Sequence, residues 1–167
     1  GDPGESTTCG TETFDNTPTS GNASSYSDRN WMSNGIDWTA TFARTDKNIN
    51  IDGDNNKAIC IKKGSLKSST ISGGIKSLSV RTYLPYNDNG GSYTLKINGV
   101  VKGQIPYSKT KETHTIDDIN VEGDIVIELV DTTTSNRVSF DNLSWTCYSP
   151  LSTNETSKSQ KISVYPN

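Results

Sequence analysis

His114 is the only histidine in the 167 residues. It stands between Thr113 and Thr115 in a polar stretch, where an imidazole is expected at a strand surface rather than in a catalytic relay. The strings that organise catalysis are absent. There is no G-x-S-x-G elbow, no phosphate-cradling loop ending in G-K-S/T, no H-E-x-x-H and no Cys/His spacing for a metal. The sequence leaves a carboxylate pair for glycoside hydrolysis open, but most Asp and Glu residues fall in turns, where solvated roles are expected. No catalytic residue is assigned, and binding is favoured over turnover.

The residues suited to binding lie on alternating runs. In Ile75–Leu84, a period of two puts Leu78, Val80, Thr82 and Leu84 on one face and Ser79, Arg81 and Tyr83 on the other. A tyrosine ring can stack on the C–H face of a sugar. A guanidinium binds hydroxyl pairs, carboxylates or sulfates through two parallel hydrogen bonds. Arg44, Lys62 and Lys63 would add positive charge from neighbouring strands, which favours an acidic ligand. Trp31, Tyr86 and Tyr107 sit in or beside loops as candidate gripping aromatics. The plainer alternative is that Arg81 and Lys62 decorate a solvated sheet, and that the Lys62–Lys67 run protects an edge strand. Trp38, which alternates with Ala40 and Phe42, is expected in the core, as is Trp145.

These residues must be positioned by strands. Short period-two runs are expected at 11–14, 37–44, 48–51, 58–63, 68–71, 75–84, 92–97, 100–106, 113–121, 124–130 and 137–146. Turn chemistry separates them, as at Gly73-Gly74, Asn98-Gly99 and Glu122-Gly123-Asp124. Leu95–Val101 around Asn98-Gly99 is the clearest hairpin, because both turn residues tolerate positive φ. No segment keeps apolar residues at helical spacing for three turns. Many short strands predict an all-β sandwich or barrel, with a Greek-key jelly roll preferred.

The net charge of −3, from 16 basic and 19 acidic residues, gives no nucleic-acid footprint. No run approaches the roughly 20 apolar residues of a membrane span. No Met or signal peptide opens the chain, so residue 1 is expected to follow a processing point or a boundary in a longer protein. First and last strands of a sandwich are often neighbours, so a Cys9–Cys147 bridge is expected; three free thiols are the alternative. Cys60, in an alternating run, is expected buried and unpaired.

Two strings carry a resemblance. They are C-G-T-E-T-F-D-N at Cys9–Asn16, followed by S-S-Y-S-D at Ser24–Asp28, and S-F-D-N-L-S-W-T-C at Ser139–Cys147. With T-I-S-G-G-I, L-K-I-N-G and E-G-D-I-V-I-E between them, residues 9–148 resemble the accessory β-sandwich domains of extracellular polysaccharide-degrading enzymes and nucleases of gliding and marine bacteria. The closing S-V-Y-P-N is similar to the start of a type IX secretion sorting tail.

The resemblance implies a galactose-binding-like or carbohydrate-binding-module-like jelly roll at 9–148. Residues 1–8 would be a linker end, and 149–167 a linker and the start of the tail. It implies a secreted or cell-surface, non-catalytic, monomeric module that holds an appended enzyme on a polysaccharide, with an anionic marine glycan as the expected ligand. A non-binding structural spacer and a small jelly-roll lyase are the alternatives. Modules of this kind hold a structural calcium between first and last strands. Glu12, Asp15 and Asp141 are therefore the expected ligands, with Asp28 and Asp37 as additions from a loop; turn capping by Asp15 and Asp141 is the alternative. Asp52–Asn56 is expected to be an ordinary turn.

Overall fold

The computed structural model describes residues 8–18, 22–52 and 57–150. Eleven strands account for the described architecture: β1 Thr8–Glu12, β2 Ser27–Ser33, β3 Ile36–Arg44, β4 Ile59–Lys62, β5 Ser65–Ser68, β6 Leu78–Tyr83, β7 Gly91–Ile97, β8 Val100–Tyr107, β9 Glu112–Ile116, β10 Ile127–Val130 and β11 Arg137–Thr146. All paired strands are antiparallel, in the order β8-β7-β10-β5-β3-β4-β11-β6-β9; β2 adds to β3 and β1 to β11.

The path turns back on itself at β4. The long β3 pairs with β5 through Trp38–Ala40 and with β4 through Ala43 and Arg44. The long β11 pairs with β4 through Arg137–Phe140 and with β1 through its second half. Two faces are thereby brought together over one core. Trp38 on β3 meets Trp145 on β11 edge-on at 6.2 Å, and Tyr93 on β7 meets Phe140 on β11 at 4.8 Å. The chain is an all-β jelly-roll sandwich, as its turn-punctuated strands predict.

Alternation decides which residues line that core. On β6, Leu78, Val80 and Thr82 are buried while Ser79, Arg81 and Tyr83 are not. Trp38 and Trp145 are buried, and so is the free thiol of Cys60. The Asn98-Gly99 hairpin has positive φ at both residues, 53° and 80°, the geometry of a type I′ turn. Cys9 and Cys147 form a disulfide with Cα atoms 5.1 Å apart.

Several boundaries differ from expectation. β2 occupies a stretch read as loop, and it joins β3 through Asn34-Gly35, whose φ values are 53° and 78°. Asn48–Ile51 is no strand: Lys47–Ile49 is a 3-10 turn. Ile49 and Ile51 are both buried, so their two-residue spacing mimics a strand. The strand expected at 68–71 is β5, three residues earlier, and Ile71 keeps only a bridge to Ile125. β9 stops at Ile116, before Asp118 and Asn120 turn to positive φ. β1 begins at Thr8, inside the expected linker; residues 1–7 and the expected tail at 151–167 lie outside the described residues.

Candidate ligand-binding face

The outer surface of β3, β4, β11 and β6 carries one row of registered residues: Arg44 opposite Cys60, Cys60 opposite Ser139, and Ser139 opposite Tyr83. Each alternates with a core residue on its own strand, so all four face away from the core. Cys60 and Ser139 are nonetheless buried, because other residues cover them. Ile49 and Ala58 pack with Cys60 in a small second cluster, with Tyr26 and Tyr86 against it. Burial pushes the Cys60 thiol up to about 12, so it is an inert packing group.

Tyr26 and Tyr86 make this cover a binding candidate. The Arg44 guanidinium lies 5.6 Å from the Tyr26 ring centroid and 5.5 Å from that of Tyr86. Lys62 Nζ stands 5.6 Å from Tyr26, and the Arg137 guanidinium 4.4 Å from Tyr86. These are cation–π distances. The arginines are also engaged by carboxylates. Arg44 Nε and Nη2 donate to the two oxygens of Asp46 at 2.7 and 2.6 Å. Arg137 Nε and Nη2 donate to Asp88 at 3.0 and 3.2 Å, and its backbone N–H adds a third bond at 2.9 Å. Burial alone would raise both carboxyls; the arginine forks outweigh it and hold Asp46 and Asp88 below their ordinary range. Burial raises the Tyr26 and Tyr86 phenols, keeping both neutral. The cluster therefore presents neutral, pre-positioned rings with charge already balanced at the arginines. Among the described residues, the Lys62 ammonium makes no ion pair.

Of the residues singled out by sequence, the fold brings together Arg44, Lys62 and Tyr86. Tyr83 lies on the same face with Lys111 Nζ 5.1 Å from its ring. Arg81 is tied to Asp52 by an ion pair of 2.8 Å. Lys63 is exposed in the turn after β4, with φ 54°. Two aromatics do not belong to any surface. Trp31 is on β2, 5% exposed, packed on Phe14 with its Nε1–H donated to Glu12 at 3.3 Å. Tyr107 closes β8, 2% exposed, its hydroxyl donating to Asp131 at 2.9 Å and accepting from Asn136 at 3.0 Å. Both occupy inward positions of strands, which loop placement overlooked. His114 is half-buried, with Nε2 3.9 Å from Glu112. The sequence reading missed Tyr26 and Arg137; an S-Y-S-D string preceding a hidden strand and the first residue of β11 gave no aromatic or basic pattern.

Each member of the acidic trio has its own hydrogen-bond partner. Glu12 is 1% exposed and accepts from the Phe14 backbone N–H at 2.7 Å and from Trp31. Asp15 is exposed and accepts from Thr13 at 3.0 Å. Asp141 is 2% exposed and shares its hydrogen bond with Asp52. Asp28, on β2, accepts from the Phe42 N–H at 3.1 Å, and Asp37 lies in β3. Among the described residues, no group of three or more His, Cys, Asp or Glu side chains is gathered as a metal would need. Asp15 nevertheless lies near enough to both Glu12 and Asp141 for its charge to act on each.

The Asp141 environment has a measurable consequence. Burial first, then the hydrogen bond and negative charge of Asp52, push its pKa up to about 7. The folded protein then holds a proton that an unfolded carboxyl, near 4, releases. This contribution to stability is complete below about pH 4 and is lost as pH rises to about 7. Urea unfolding should show stability falling by on the order of 4 kcal/mol across that window. Asp141→Asn should flatten the profile; an unchanged slope would assign the proton to another group.

A separate groove of about 410 Å³ lies on the opposite half, between Ser92, Thr94, Lys96, Gln104, Thr132 and Thr133. Ser92 and Thr94 hydroxyls both donate to Gln104 Oε1 at 3.1 Å. Among the described residues its lining includes no aromatic ring.

The sequence matches no family model and no curated protein. Solved structures are similar in fold. A family 35 carbohydrate-binding module from Clostridium thermocellum aligns over 71% of this chain and 97% of its own, at 12% identity and a TM-score of 0.50. A glycoside hydrolase family 43 arabinoxylan arabinofuranohydrolase from Bacillus subtilis aligns over 65% of this chain at 17% identity and a TM-score of 0.51; the match spans 25% of that enzyme. The CBM36-1 domain of a multidomain xylanase from the hindgut metagenome of Trinervitermes trinervoides aligns over 60% of this chain and 83% of its own, at 25% identity and a TM-score of 0.47. The chain thus has the β-sandwich fold of carbohydrate-binding modules.

Proposed function

We propose that the protein is a non-catalytic polysaccharide-binding module whose ligand lies across the Tyr26–Arg44–Tyr86 surface. The observation that carries this reading is the stacking of Arg44 between two neutral rings on an outer sheet face. Such rings offer flat surfaces to pyranose C–H groups, while Lys62 and the outer edges of the guanidinium groups reach hydroxyls. Arg81 and Tyr83 extend the face along β6. The fold shared with carbohydrate-binding modules supports the same reading.

Within this proposal the ligand is an anionic glycan, sulfated or uronate-containing. Charge recognition then falls to Lys62, Lys63 and Lys111, since the arginines are paired with aspartates. The Cys9–Cys147 disulfide supports an extracellular setting, where the module would hold an appended enzyme on its substrate. Within this proposal, calcium would be held at Asp141, beside which Asp15 and Asp52 add negative charge. Added calcium that raised the melting temperature above pH 7 would establish that role.

Affinity electrophoresis across neutral and anionic polysaccharides tests the function. Retardation is expected on at least one anionic glycan, weakening as salt is raised. Tyr86→Ala and Lys62→Ala should each weaken it, by about tenfold for the ring. Retention that ignored salt would remove the anionic preference. No retardation on any polysaccharide by the folded protein would overturn the binding function and leave the spacer.

A further inference from the structure

Phe42 breaks the pattern of its strand. On β3, Trp38 and Ala40 point inward, and the period of two puts Phe42 in the core with them. It is instead 45% exposed, one of four large apolar side chains exposed among the described residues. The cause is a bulge. Ser27 pairs with Ala43 and Arg29 with Ala40, so Thr41 and Phe42 together stand opposite the single residue Asp28. Phe42 takes φ 52°, a left-handed conformation that a bulky residue adopts only at a cost in strain. Asp28 Oδ1 accepts the Phe42 N–H at 3.1 Å and holds the distortion. The ring that results lies 5.7 Å from the Tyr26 ring at 33°, and Tyr26 in turn meets Lys62 and Arg44. Without the extra residue, it would be buried.

We propose that Phe42 is a sugar-stacking residue of this face, delivered to it by a β-bulge that Asp28 holds in place. The proposal rests on the reading of the face as a polysaccharide site and extends its platform from Tyr26 towards the β2 edge. A strained backbone that exposes an apolar ring brings the folded chain no burial, so its return lies in a ligand that covers the ring. Phe42 touches the ligand; Asp28 is a positioning residue.

The test uses the full chain and a polysaccharide that retains the wild type. Phe42→Ala should weaken binding about tenfold or more. Phe42→Gly should weaken it equally while melting no more than about 2 °C below the wild type, because glycine accepts φ 52° freely. Asp28→Ala should weaken binding, and Asp28→Asn, which keeps the Oδ1 acceptor, should restore most of it. Wild-type binding by both Phe42 variants overturns the proposal and leaves the Tyr26–Tyr86 site standing. A Phe42→Gly protein that melts far lower shows the ring to be structural and also overturns it. A wild type retained by no polysaccharide overturns both readings.

Discussion

Replacing Cys9 and Cys147 together by serine is expected to lower the free energy of unfolding by about 5 kcal/mol. The bridge joins residues 138 apart, and closing so long a loop removes much of the conformational entropy of the unfolded chain. A domain of this size is stable by about 5–15 kcal/mol, so the double variant should sit near the threshold of folding. The native side of the balance changes little. β1 still pairs with β11 through Gly10, Thr11 and Glu12, and Tyr148 N–H still donates to the Gly73 carbonyl at 3.2 Å. Urea denaturation of both proteins measures the difference. Reducing the wild type should reproduce it, and the variant should not respond to reductant. A loss below about 1 kcal/mol would mean that the unfolded chain already keeps its ends close.

Trp38→Ala should cost about 3–5 kcal/mol, the range for emptying a fully buried aromatic site. Trp38 has no exposed surface and meets Trp145 across the two faces of the sandwich. Its neighbours come from a rigid strand on each side, which limits collapse into the void. The indole N–H has no hydrogen-bond partner among the described residues. Trp38→Phe should therefore lose volume but no polar contact, and cost less than half as much. Met32→Ala, on the adjacent strand at 58% exposure, should stay within about 0.5 kcal/mol. A Trp38→Ala protein as stable as Met32→Ala would show that the two faces do not meet as described.

Legibility in the sequence followed the strength of local patterning. β6 and β7 were readable because period-two alternation runs through six residues, β8 because it completes the Asn98-Gly99 hairpin, and β11 because alternation holds on either side of its bulge at Asp141–Ser144. β2 was not, because S-D-R-N-W-M-S buries Arg29, Trp31 and Ser33. An arginine on the inward side hides the alternation; its Nε and Nη2 donate to the carbonyls of Ala43, Asn22 and Ser25. Asn34-Gly35 was an available signal of the same kind as Asn98-Gly99. Missing it cost the strand and left Trp31 in a loop.

The site divides the same way. Alternation was enough to place Arg81 and Tyr83 on the face opposite the core, and the chemistry of Arg, Lys and Tyr was enough to suggest a sugar. Sequence could not show that each arginine of this face has an aspartate waiting: Asp46 lies two residues from Arg44, but Asp88 and Arg137 are 49 residues apart.

What the sequence pointed to by itself was the all-β sandwich, a Cys9–Cys147 bridge in preference to free thiols, the buried Cys60 and an outward polar face on β6. These depend on local periodicity, turn residues and the adjacency of first and last strands. Only the tertiary structure decided where the candidate surface is centred. Tyr26, Arg44, Lys62, Tyr86 and Arg137 come from separate segments, and their meeting depends on β4 bridging β3 to β11. The exposure of Phe42 depends on a bulge, which shifts one register by one residue and reverses the direction of a side chain.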